Sequence, residues 1–178
     1  EDDWCMDENL LERMIEKLGE EVAVVVPYAT FGTNLDLSFY ENLHQRGIPV
    51  VVDGAASFGS VSTGGKFFGK GFPGVVAYSF HATKSFGIGE GGLVYSGDKE
   101  VIGKIRQAGN FGFSEQRVTE LQGLNSKISE YTAAIALSTL DAFSEKKNTR
   151  QQIYQWYKVE IQKKLVKKGW KMQLTDGE

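Results

Sequence analysis

The sequence predicts an α/β fold built on a mostly parallel sheet. Three observations point to it. Short runs rich in β-branched residues recur at 22–27 (VAVVVP), 48–54 (IPVVVDG), 75–80 (VVAYSF) and 92–96 (GLVYS). Segments of helical periodicity precede the first run, separate the first two and follow the last. The runs are continuous rather than alternating, the pattern of strands covered on both faces.

Each element has a local reason. In MDENLLERMIEKLG, Leu10, Leu11, Met14, Ile15 and Leu18 fall at helical spacing and Gly19 supplies a stop. The run at 22–27 reads as the first buried strand. Residues 36–47 (DLSFYENLHQRG) read as a helix with Asp36 as N-cap and Gly47 just past its end. The runs at 75–80 and 92–96 read as two more buried strands. Only a short, helix-free segment joins them, so they are either antiparallel neighbours or separated by other strands. Residues 98–109 (DKEVIGKIRQAG) read as a helix. From about Ser129 a long helical stretch runs toward Lys168. Its first part, YTAAIALSTLDAF, is apolar nearly all round and is expected to be buried. Its second part places Ile153, Tyr157, Ile161 and Leu165 on one face.

Composition bounds the function. The 178 residues are 41% hydrophobic and 24% charged, as in a soluble globular domain, and one domain is the default at this length. The net charge of −3 argues against nucleic-acid binding, although charge is unevenly spread. Residues 1–21 carry nine acids against two bases, and residues 145–171 nine bases against two acids. These read as solvated helix faces, with no aromatic platform or recognition motif beside them. The single cysteine, Cys5, allows no internal disulfide and suits a reducing compartment. No long apolar run suggests a membrane span and no signal peptide opens the chain, so a cytoplasmic location is expected. The chain opens on Glu rather than Met, which suggests a piece of something larger.

The chemistry concentrates at strand ends. GIGEGG (87–92) matches a dinucleotide fingerprint formally, but that motif must open a helix and here a strand follows. ATKS lacks the upstream glycine of a phosphate-binding P-loop. Asp53 ends a buried strand, where an unpaired carboxylate is costly, and Gly54, Ala55, Ala56 and Ser57 after it leave room for a flat ligand. A helix cap or a solvated turn acid is the plainer alternative. Lys84 stands at the mouth of the next strand, facing a glycine-rich segment. Together, a strand-end carboxylate and a strand-end lysine suit pyridoxal phosphate, with the carboxylate on the pyridine nitrogen and Ser79 on the phosphate.

Four ordered stretches carry a resemblance: VVVPYATFGTNLDL, VVDGAASFG, SFHATK followed by GEGG, and NFGF followed by GLNSKISEYTAAIAL. Across about residues 8–165 the chain resembles the DegT/DnrJ/StrS family of pyridoxal-phosphate-dependent (nucleotide-)sugar aminotransferases, of the aspartate aminotransferase-like fold. The resemblance implies a three-layer α/β/α sandwich whose mostly parallel sheet carries an antiparallel strand, and it matches the central part of the large domain. On it, residues 1–178 form one partial domain, with an N-terminal cofactor-binding segment and a C-terminal small domain expected outside it. It implies Lys84 as the Schiff-base and proton-moving lysine, Asp53 on the pyridine nitrogen, Ala55 on a ring face and Ser79 on the phosphate. Asn125 would reach the cofactor of a neighbouring subunit, so a homodimer is implied. The implied partners are a nucleotide-linked keto-sugar and an amino-acid donor, with glutamate expected. No metal, nucleic acid or membrane is implied. His81 and Glu90 either shape the lysine loop or act directly. One departure is Ala56, where the family usually carries Gln or His. A truncated, inactive scaffold of the same fold is the alternative reading.

Overall fold

The computed structural model describes residues 4–33, 35–62 and 64–170. Glu1–Asp3 of the acidic run, Asn34 of the first motif and Lys171 of the basic run lie outside the described residues.

The helices begin where side chains can cap them. Asp7 accepts from the Leu10 N–H at the start of α1 (Glu8–Leu18), and Gly19 ends it at φ +54°. Asp36, expected as the N-cap of α2 (Ser38–Gln45), stands one residue before the actual cap position, Leu37, and accepts from the Ser38 N–H at 2.9 Å; Gly47 follows with φ +85°. Asp98 takes the N–H groups of Glu100 and Val101 at the start of α3 (Lys99–Ala108).

The sheet holds β1 (Val51–Asp53), β2 (Val75–Ser79) and β3 (Gly92–Ser96) in that order. β1 and β2 run parallel, with Val52 beside Val76 and Asp53 beside Ala77. β2 and β3 are antiparallel, with Ser79 opposite Gly92. Of the two arrangements that the short 80–92 connection allowed, this is the antiparallel one.

The run at 22–27 is an edge segment rather than a full strand. It pairs parallel with β1 at Val25–Val50 and Tyr28–Asp53, in one register. The Val25 N–H donates to Pro49 O and the Ala29 N–H to Asp53 O. Between them the ladder needs a donor at position 27, and Pro27 has none. The expectation of cover on both faces is also corrected here. Val25, Pro27 and Ala29 are buried, whereas Val24, Val26 and Tyr28 are exposed. β3 is likewise more open than expected, with Leu93 and Val94 exposed.

One core joins the layers. Val25, Val50, Val52, Val76 and Tyr78 from the sheet cluster with Ile15 of α1, Tyr40 and Leu43 of α2, and Phe68 and Phe72 of the 67–73 turn. Fully burying each such side chain contributes about 1.5–3 kcal/mol. The Tyr78 hydroxyl donates to Phe68 O at 2.7 Å, which fastens that turn over the strand.

The C-terminal stretch is two helices, α4 (Glu130–Asp141) and α5 (Phe143–Lys164), separated at Ala142. Ser129 caps α4 through the Thr132 N–H. α4 is not buried as its composition predicted: Tyr131, Ile135, Leu137 and Leu140 are exposed. Apolar composition favours burial, but no described element packs over that face. On the predicted face of α5, Ile153 and Tyr157 are exposed while Ile161 and Leu165 are half-buried, so that face is covered only in its second half.

Candidate functional site

The lysine loop is assembled from its apolar anchors inward. Phe80, Phe86 and Ile88 are buried, and the polar residues 81–85 between them are pushed outward. Phe80 and Phe86 sit 4.9 Å apart, and Phe58 meets both, at 5.0 and 4.8 Å between ring centres. Backbone bonds sew the loop shut: the Phe80 N–H donates to Gly91 O, Ala82 to Gly89 O and Ile88 to Phe80 O. The crossing is tight. A Cβ on Gly87 would stand 2.6 Å from the Ala82 carbonyl oxygen. The glycines facing Lys84 therefore let the chain fold back closely enough to present it.

Lys84 itself is half-buried in a turn, its N–H donating to His81 O at 2.9 Å. It lines a cavity of about 400 Å³ with Phe31, Ala56, Thr83, Ser85 and Arg150. Two cations and no carboxylate line that cavity, so it favours an anionic group such as a phosphate or carboxylate. His81 accepts from the Thr83 N–H through Nδ1, which also lies 2.9 Å from Thr83 Oγ1, and its Nε2 faces Glu90 Oε1 at 3.6 Å. These contacts stay inside the loop and favour a shaping role for the pair.

Asp53 and Ser79 close neighbouring parallel strands. Asp53 is opposite Ala77, so Ser79 lies on the same face two residues further on, about 7 Å along the strand. The Asp53 backbone is held by Pro27 O and the Ala29 N–H, and Oδ1 accepts from the Ala55 N–H at 3.0 Å. Its Oδ2 accepts no hydrogen bond from a described residue, so this carboxylate keeps capacity for a protonated ring nitrogen. Ala55 sits in the turn that follows, with only a methyl group beside that carboxylate. Ser79 Oγ accepts from the His81 N–H at 3.3 Å, and its hydroxyl hydrogen can turn to an anion. The donor set thus fits pyridoxal phosphate. Ala56 lines the lysine cavity, and its carbonyl leaves so little room at Gly32 that a Cβ there would come within 2.7 Å.

Asn125 is exposed and lies away from this cavity, in an antiparallel bridge with Asn110. His44, on α2, is half-buried. Phe31, Ser85 and Arg150 complete the lysine cavity and were not singled out by sequence. Phe31 had one signal, the following Gly32. Its backbone is left-handed (φ 56°, ψ 20°), a costly setting for an aromatic, and its ring is 70% exposed at the cavity wall. Among the described residues no cluster could hold a metal ion, and no helix is long and apolar enough to cross a membrane.

The strand ends of this α/β domain thus carry Asp53 and Ser79, and the loop after β2 carries Lys84, whose cavity is lined by neither of the other two. The chain belongs to the DegT/DnrJ/EryC1/StrS aminotransferase family, whose profile matches residues 1–173. The crystal structure of a putative PLP-dependent aminotransferase from Bacillus cereus ATCC 10987 superposes with a TM-score of 0.95. The two are 50% identical over 98% of this chain and 48% of that one. The dTDP-4-amino-4,6-dideoxy-D-glucose transaminase of Shigella dysenteriae is 32% identical over 72% of this chain and 35% of its own length. The dTDP-3-amino-3,4,6-trideoxy-alpha-D-glucose transaminase of Streptomyces venezuelae is 30% identical over 83% and 39%. The chain spans about a third to a half of the length of these relatives.

Proposed function

We propose that this chain is the central part of the large domain of a pyridoxal-phosphate-dependent aminotransferase. Its reaction moves an amino group from an amino-acid donor, expected to be glutamate, to a nucleotide-linked keto-sugar. The observation that carries this reading is the register that puts Asp53 and Ser79 on one face of the sheet, beside the folded-back loop presenting Lys84. The names of relatives as dTDP-sugar transaminases support the substrate class.

Bound pyridoxal phosphate supplies an electron sink for carbon–hydrogen bond breaking next to nitrogen. In this reading Lys84 Nζ holds the cofactor covalently at rest and, once released, carries the proton at the reacting carbon. General acid–base help of that kind contributes typically about 10²–10⁴-fold. Asp53 Oδ2 accepts from the protonated ring nitrogen and keeps it charged. Ala55 gives the ring a small, apolar face, and Ser79 donates to the phosphate. Asn125, on an exposed loop, serves the site of a second copy, so the working unit is a homodimer. A cytoplasmic setting fits these partners.

The direct test is spectroscopic. Adding pyridoxal phosphate to the protein should raise a long-wavelength absorption band, and Lys84→Ala should abolish it. Retention of that band in the variant would sink the assignment.

A further inference from the structure

α5 contributes no buried side chain, yet it is pinned to both loops of the site. Lys147 Nζ donates to the carbonyl of Gly59 at 2.9 Å, across 88 residues. Arg150 Nη1 donates to the carbonyl of Ser85, across 65 residues. The two cations are three residues apart and so share one face of the helix. One turn earlier Phe143 packs on Phe58 at 5.7 Å and Phe86 at 5.3 Å between ring centres. The loops are also tied to each other, since Ser85 Oγ donates to Phe58 O at 3.2 Å. Ser85 adjoins Lys84, and Arg150 lines the same cavity as Lys84.

From this geometry we propose that Arg150 is a positioning residue: through the Ser85 carbonyl it seats the loop that presents Lys84. The fork of the guanidinium keeps further N–H groups available after that one bond is made. α5 thereby couples the placement of the lysine to a helix outside the sheet. The importance given to Lys84 rests on the proposed function, but the mechanical claim does not.

The test uses the full chain with two readouts. Hydrogen exchange of the 82–88 amides reports the seating of the loop and needs no cofactor. The rate of borohydride-fixed pyridoxal phosphate labelling at Lys84 reports its consequence. Arg150→Ala should speed exchange at these amides on the order of tenfold, the scale set by a lost charge-assisted hydrogen bond. Labelling should slow in parallel, and Arg150→Lys should restore most of both. Lys163→Ala, on an exposed stretch of the same helix, should change neither. If Arg150→Ala does not fold, Arg150→Met, which keeps helix propensity and side-chain bulk but has no donor, should show the same loosening. Wild-type exchange and labelling in a folded Arg150→Ala or Arg150→Met protein would overturn the proposal, as would an equal effect from Lys163→Ala. Absence of wild-type labelling together with the exchange contrast would remove the proposed function and leave the seating role supported.

Discussion

Gly87→Ala tests how the lysine loop is built. An added Cβ would meet the carbonyl oxygen of Ala82 at 2.6 Å, its carbon at 3.0 Å and its Cα at 3.1 Å. All three are backbone atoms, so no side chain can swing aside. The strand of the loop carrying Ala82 is fixed by its bond to Gly89 O and by Ile88 bonding to Phe80 O. The clash must therefore be relieved by opening that crossing. Forced overpacking of this kind costs about 1–3 kcal/mol. In a chain of this size each kcal/mol moves Tm by about 2–4 °C. Gly103 is the control, since it lies within α3 and an added Cβ meets nothing within 4 Å. Gly103→Ala should gain up to about 1 kcal/mol from helix propensity. Thermal melts followed by circular dichroism should show Tm falling for Gly87→Ala and rising slightly for Gly103→Ala. Equal melting of Gly87→Ala and wild type would refute the close-crossing argument.

Further outcomes follow from single contacts. Asp98→Ala removes the acceptor for two N–H groups of α3 and should cost about 1 kcal/mol in urea unfolding. Tyr78→Phe deletes the hydroxyl that satisfies Phe68 O and should cost about 1–2 kcal/mol by the same assay. Burial, with the nearby Tyr95 adding to it, pushes the Tyr78 phenol up to about 12 from 10. The folded state thus favours the neutral phenol. Its contribution is fully present below pH 10 and is lost as pH rises from 10 toward 12. The alkaline loss of stability should be shallower in Tyr78→Phe, and an unchanged profile would count against this source.

Much of the fold was legible because it is local. Gly19 and Gly47 mark helix ends by their own chemistry, and the short 80–92 connection left an antiparallel neighbour as one of two options. Less legible features depend on partners far along the chain. Pro27 broke a ladder whose register the sequence does not display. α4 looked buried because composition states a preference for cover without naming what provides it. At the site, Lys84, Asp53 and Ser79 stood out through their positions at strand ends. Arg150 was hidden in a basic run that reads as a solvated helix face. Its partner carbonyl lies 65 residues away, and no periodicity reports a contact of that kind. Phe31 was hidden because a strained backbone is visible only in the folded chain.

The central claim is that this domain presents one lysine to pyridoxal phosphate. It is tested most directly by incubating the protein with the cofactor, reducing with borohydride and mapping the labelled peptides. A single dominant label is expected on Lys84, within the SFHATKSFGIGEGG segment. Labels scattered over exposed lysines such as Lys104 and Lys163, with none favoured at Lys84, would contradict it and leave the lysine loop as scaffold only.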